Sequence, residues 1–235
     1  MASEAPKHII VNGSVAKQVT KILTDQIIDG KYSVGDYLPT EELLCAEFGI
    51  GRSSVREAVK TMESQGLVRK LQGKGIVVID ETIEATAELL NITLNYKRIS
   101  LQDMVDFREA MEIRLAGLAA VKSSADDIKR IDECLESMRK NKDSYEDFAH
   151  YDHLFHEAIA EASGSSISAL IMRALRPLLQ KQIAHNIQKD FNPQEVIDIH
   201  SEILAKIKAH QAKAAGSAMA DHLTETHRVL RMIND

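Results

Sequence analysis

One aspartate and three histidines stand where a helical chain can bring them to a single point. Asp152 and His156 lie four residues apart in Tyr151-Asp152-His153-Leu154-Phe155-His156. That is one helical turn, a spacing at which a carboxylate and an imidazole converge on one ion. His200 interrupts the apolar stripe of Ile197, Leu204 and Ile207, and His222 sits beside Met219 and Leu223, where a core side chain is expected. A lone histidine on an apolar face is ordinarily a hydrogen-bonded core residue. Two of them on separate helices, with an Asp/His pair on a third, read as a ligand set. One oxygen and three nitrogens suit a divalent ion such as Zn, Ni, Mn or Fe. An ion accepting five or six ligands would keep open positions for water or a ligand oxygen. His8, His150, His153, His185, His210 and His227 lack comparable partners and read as surface or ordinary core. Arg108 flanks the stripe Met104, Phe107, Met111, Leu115 and Leu118. It is either a helix-surface arginine or a guanidinium that reaches inward to fork onto a carboxylate.

The second concentration of chemistry is cationic. The whole chain carries a net charge of −6, yet residues 1–79 hold ten Lys/Arg against nine Asp/Glu. Within 52–74 the basic residues are Arg52, Arg56, Lys60, Arg69, Lys70 and Lys74, opposed only by Glu57 and Glu63. A basic helix face alone is usually a solvated face. Flanked by a tight turn and a β-ribbon, it is a surface for phosphates, with Lys and Arg supplying salt-dependent affinity.

Those residues need elements to hold them. In LPTEELLCAEFGIGRSSVREAVKTMESQGLVRKLQGKGIVV (38–78), Thr40 caps a short helix whose Leu43, Leu44 and Phe48 share a face. Gly49 and Gly51 bracket a break. The next helix puts Val55, Val59 and Met62 on one side and Arg52, Ser53, Ser54, Arg56 and Lys60 on the other. Gly66 ends it, residues 67–71 and 76–79 read as strands, and Gln72-Gly73-Lys74-Gly75 is the hairpin turn. This is the pattern of a winged helix-turn-helix. A preceding helix starts at Ser14 and stops at Gly30, residues 31–38 form a connector, and 1–13 a loose arm.

Beyond Asp80 the strand pattern disappears. Seven amphipathic helices are expected near 83–96, 101–121, 124–141, 144–163, 165–187, 193–209 and 211–233, packed as an antiparallel bundle. The fold class is therefore mainly α: a DNA-reading head over 1–79, a hinge at 80–84, and a helical domain over 85–235. Aromatic content of 4% without Trp agrees with helix over sheet. No apolar run is long enough to span a membrane, and no signal peptide is expected. Cys45 and Cys134 make no motif, which points to a reducing, cytoplasmic setting.

With these residues in view, the chain resembles a bacterial GntR-family transcriptional regulator of the FadR type, whose effector domain is all-helical. The reader and wing carry one half of the resemblance. DFREAMEIRLAGLAA, YDHLFHEAIAEASG, IDIHSEIL and AMADHL carry the other. The resemblance implies that Arg52 and Arg56 enter the major groove, Ser53 and Ser54 lie near phosphates, and Gly73 approaches the minor groove. It implies Asp152, His156, His200 and His222 as metal ligands and Arg108 as a pocket arginine for an acidic effector. Two positions depart from the family: Glu42 replaces an arginine that touches DNA, and Ser165 replaces an asparagine after Ser-Gly. The expected protein is a homodimeric repressor on an inverted-repeat DNA operator, with Lys70 and Lys74 on phosphates, released by a small organic acid. Its rivals are a regulator for which the metal is the signal or a structural staple, and a helical-bundle metalloenzyme. The enzyme is disfavoured, since no general base stands beside the cluster and the reading head would be unexplained.

Overall fold

The computed structural model describes residues 14–186 and 192–234, so the arm expected over 1–13 lies outside it. Two compact units divide the chain, residues 1–88 and 89–235. In the first, α1 (Val15–Ile28), α2 (Glu41–Phe48) and α3 (Arg52–Ser64) precede β1 (Val68–Leu71) and β2 (Gly75–Val78). The Thr40 hydroxyl accepts from the Leu43 amide at 3.3 Å and starts α2; Gly49 closes it with φ 66°. Leu44 and Phe48 are buried, but Leu43 is 59% exposed and does not share their face. One residue step of about 100° turns it away from the core. Val19, Leu23, Leu44, Val55, Met62 and Ile76 belong to the core of this head.

β1 and β2 pair antiparallel, Val68 opposite Val78 and Leu71 opposite Gly75. The connector joins them. Tyr37 bridges Val77, Gly35 donates to the Val78 carbonyl at 2.9 Å, and Leu38 donates to the Ile76 carbonyl at 2.8 Å. The outer edge of β2 would otherwise leave its backbone groups unpaired, and this segment satisfies them. On leaving β2 the chain folds back on the head, with Ile79 donating to Leu67 O and Glu81 to Gly66 O, both at 2.9 Å. Arg69 and Glu81 form an ion pair beside them. A Cβ on Gly66 would stand 2.2 Å from the Glu81 carbonyl oxygen, and Gly66 has φ +73°. Only glycine fits so close an approach in that conformation.

Next come α4 (Thr82–Lys97), α5 (Leu101–Lys122), α6 (Ala125–Lys140), α7 (Tyr145–Ala162), α8 (Ser166–Asn186), α9 (Pro193–Lys208) and α10 (Ala212–Asn234). These match the seven expected helices, because the stop signals are chemical. Ser100 with Asp103 and Ser124 with Asp127 form capping boxes, Ser144 caps α7, and Asn192 with Pro193 opens α9. α6, α7 and α9 supply much of the bundle core, including Ile131, Leu135, Phe148, Phe155, Ile159 and Ile203. α5 and α10 cross unusually close. A Cβ on Gly117 would lie 3.2 Å from the Ala212 carbonyl oxygen, and one on Gly216 would lie 3.2 Å from that of Ile113. Buried Ala116, Ala119 and Ala215 lie along the two helices. Small residues let the backbones approach and hold the Glu112 and His222 turns within the same bundle core.

Gly66→Ala is expected to destabilise the head by more than the about 1–2 kcal/mol that a left-handed L-residue costs, because the Glu81 backbone must also move. Thermal unfolding of the full chain measures this. Wild-type stability in the variant would show that residues 79–82 are not held against the turn.

Candidate functional site

Three helices bring the four expected ligands together. Asp152 and His156 come from α7, His200 from α9 and His222 from α10, and one ligand atom of each lies within 4.8 Å of all the others. The His156 Nε2 is 3.3 Å from the His200 Nε2 and 3.2 Å from the His222 Nε2. Asp152 Oδ1 is 2.9 Å from the His200 Nε2. All three rings are buried, and Asp152 keeps 19% of its side-chain exposure.

The outer nitrogens decide what the inner ones can do. His200 Nδ1 lies 2.8 Å from the Val196 carbonyl oxygen, which can only accept, so that nitrogen carries the proton. His156 Nδ1 faces the Glu112 carboxylate at 2.5 Å and is protonated for the same reason. In the neutral rings both Nε2 atoms are then lone pairs pointed at one another. Such an arrangement calls for a cation between them, and the donor set fits a divalent ion. Burial, together with the neighbouring His200 and His156, pushes the His222 imidazole well below its ordinary pKa, which keeps it in the neutral, ligating form. Burial works to neutralise Asp152, but hydrogen bonding from His200 and the charge of the neighbouring histidines in their protonated forms outweigh this and hold its carboxyl well below the usual range.

Glu112 escaped the sequence analysis. It is 2% exposed and joins the Asp/His cluster to Arg108. Arg108 Nε donates to Glu112 Oε1 at 2.5 Å, while Oε2 faces His156. Burial alone would raise the Glu112 pKa, but Arg108 and then His156 outweigh it and hold the carboxyl well below the usual range. The one signal in the sequence was its position four residues after Arg108, on the same helix face. Arg108 points inward and does not lie on the helix surface: it is 2% exposed, and its Nη2 has no hydrogen-bond partner among the described residues. A buried guanidinium donor left open in this way suits an anionic oxygen.

Among the described residues, the other histidines stay outside the cluster. His153 is buried, and desolvation pushes its pKa down to about 3. His210 Nδ1 lies 2.9 Å from the Ala120 carbonyl oxygen, and His150 stands edge-on to Tyr151. His8 and the side chains of His185 and His227 lie outside the described residues.

On the head, Arg52, Ser53, Ser54 and Arg56 occupy the first turns of α3, Lys70 lies on β1, and Gly73 and Lys74 form the ribbon turn. All are exposed except the half-buried Ser54. Arg56 and Lys70 are not loose. Glu41 accepts from Arg56 Nε at 2.8 Å through Oε2 and pairs with Lys70 through Oε1. Its side chain is 17% exposed, and those two partners hold its pKa below the ordinary value. Because Glu41 holds the Nε edge of Arg56, the terminal nitrogens of the fork remain available. Arg69 pairs with Glu81 and so anchors the chain after β2.

Residues 15–78 match the model for bacterial regulatory proteins of the gntR family, and residues 103–225 match the FCD domain. Among curated relatives, the HTH-type transcriptional regulator LutR of Bacillus subtilis is 28% identical, covering 87% of this chain and 95% of that protein. The Glc operon transcriptional activator of Escherichia coli is also 28% identical, covering 93% and 90%. A solved GntR structure from Streptococcus agalactiae covers 91% of this chain and 99% of its own, with a TM-score of 0.74 at 21% identity, a likeness of fold. The chain belongs to the gntR family of bacterial regulators and carries an FCD domain. It is a DNA-binding transcriptional regulator and not an enzyme.

Glu112→Gln preserves volume but withdraws the negative charge from His156 Nδ1. The affinity of the cluster for Zn²⁺ is expected to fall roughly 10–100-fold, measured by competition with a fluorescent chelator. Unchanged affinity would mean that Glu112 serves only Arg108.

Proposed function

We propose that this regulator is a homodimeric, cytoplasmic repressor that binds an inverted-repeat operator and is released by a small organic acid held in its helical domain. The observation that carries the reading is the buried Arg108 Nη2, a cationic donor without a partner among the described residues, one carboxylate away from a four-ligand cluster. Asp152, His156, His200 and His222 would hold a divalent ion there, and that ion would act as a Lewis acid for a ligand oxygen. Arg108 would fork onto the acid's remaining oxygens while staying paired with Glu112.

On the DNA side, the first turns of α3 would enter the major groove, with Arg52 and Arg56 on guanine O6 and N7. Ser53 and Ser54 would approach phosphates, Lys70 and Lys74 would position the ribbon on the backbone, and Gly73 would approach the minor groove. Two heads related by a two-fold axis would read half-sites about one helical turn apart. The stretch 80–84 would serve as the hinge between the head (1–79) and the helical domain (85–235). Leu89, Ile92 and Tyr96 give α4 an exposed apolar stripe of the kind a second copy would cover. Linkage requires that an acid weakening the operator complex be weakened by the operator to the same degree. One relative's name describes an activator, so the sign of the response is part of the test.

A thermal-shift screen of metal-loaded protein against small carboxylates tests the pocket. An acid at 100 times its Kd adds about 2.7 kcal/mol of stability, and Arg108→Lys, which keeps Glu112 paired but loses the fork, should abolish the shift. If no acid shifts the protein while added metal alone changes operator affinity, the ion is itself the signal. If chelation simply unfolds the bundle, the ion is a staple. Arg56→Ala is expected to weaken operator binding by roughly five- to hundredfold with metal content unchanged; undiminished binding would remove Arg56 from the interface.

A further inference from the structure

The two acidic residues that open α2 do different work. Glu41 spends both oxygens on cations of its own head and is largely covered. Glu42 is 74% exposed, and its Oε1 accepts from Arg52 Nη2 at 2.7 Å. Among the described residues its second oxygen is not engaged. A carboxylate in the first turn of a helix is favoured by the helix dipole. Glu41 already fills that role, and the dipole does not account for a contact with a different helix.

The consequence is a side-by-side donor and acceptor at the start of the reading helix. Phosphates repel such a carboxylate. In the major groove, the groups that donate to it are the amino groups of cytosine and adenine. A G·C pair presents guanine N7 and O6 as acceptors and, next to them, cytosine N4 as a donor. Arg52 complements the first two and Glu42 the third. We propose that Glu42 is a specificity-determining residue: with Arg52 it reads the complete edge of one G·C pair per half-site, accepting from cytosine N4. The proposal rests on the reading that α3 lies in the major groove. It makes the Arg52–Glu42 contact an arrangement carried onto DNA, with Glu42 remaining beside the arginine while its free oxygen takes the base.

The test begins with selection of binding sites from random DNA by the full-length protein, followed by affinities on the selected operator. One G·C position per half-site should respond to Glu42. Replacing its cytosine by pyrimidin-2-one, which lacks the amino group, should weaken the wild type roughly five- to hundredfold and Glu42→Ala less than about twofold. Glu42→Gln keeps an acceptor oxygen without the charge and should retain the sensitivity. If Glu42→Ala and Glu42→Gln instead bind every sequence more tightly with an unchanged base profile, Glu42 only repels phosphate and the proposal is overturned. If the wild type selects no motif at all, or Arg52→Ala and Arg56→Ala both leave selection untouched, the major-groove reading falls and takes the proposal with it.

Discussion

A carboxylate buried between an arginine and a histidine sets the terms for the helical domain. Glu112 is charged, almost wholly covered, and held by Arg108 on one oxygen and His156 on the other. Removing one partner of a buried ion pair costs about 3–5 kcal/mol, a large share of the 5–15 kcal/mol by which domains are stable. α5 must therefore present this face to α7 in one register. That register fixes the His156 ring, turns its Nε2 inward, and makes the meeting with His200 and His222 possible. The close crossing of α5 and α10 at Gly117 and Gly216 serves the same geometry from the other side.

The head solves a related problem at the surface. Its cations are useful only if they face outward in a defined pose, and long side chains lose that pose to rotamer entropy. Glu41 restores it by holding Arg56 and Lys70 at once, tying α2, α3 and β1 together through one partly covered carboxylate. In both units a glutamate works indirectly. It binds nothing foreign itself, and it sets the direction of the nitrogen that can.

Much of this was legible in the chain. The seven bundle helices followed from apolar periodicity and from Ser, Asp, Asn and Pro at their ends, all of which act within a few residues. His200 and His222 stood out because histidine occupied stripe positions, and the structure brings both to Asp152 and His156. What stayed hidden depends on distant partners. Glu112 looked like one more glutamate because His156 is 44 positions later, and only the fold brings them together. Tyr37 pairs with β2 across 40 positions, and nothing in Lys31–Leu38 resembles a strand. Leu43 misled for a simpler reason: an eight-residue helix is too short for three leucine-type positions to define a face without its neighbours. Arg52, Arg56, Arg69 and Lys70 were visible as charges, while their pairing with Glu41, Glu42 and Glu81 was not.

The hydrophobic cluster of the head, from Ala16 to Val78, is made only of residues from its own unit. The carboxylates that aim its cations, Glu41, Glu42 and Glu81, lie there too. Everything that shapes the reading surface is thus inherited as one uninterrupted stretch of gene. Recombination near the start of α4 can exchange the reading head while leaving the helical domain and its Asp/His cluster intact, and the reverse exchange is equally open. Such a protein can diversify by reassortment as well as by point mutation, and its two units need not share a history.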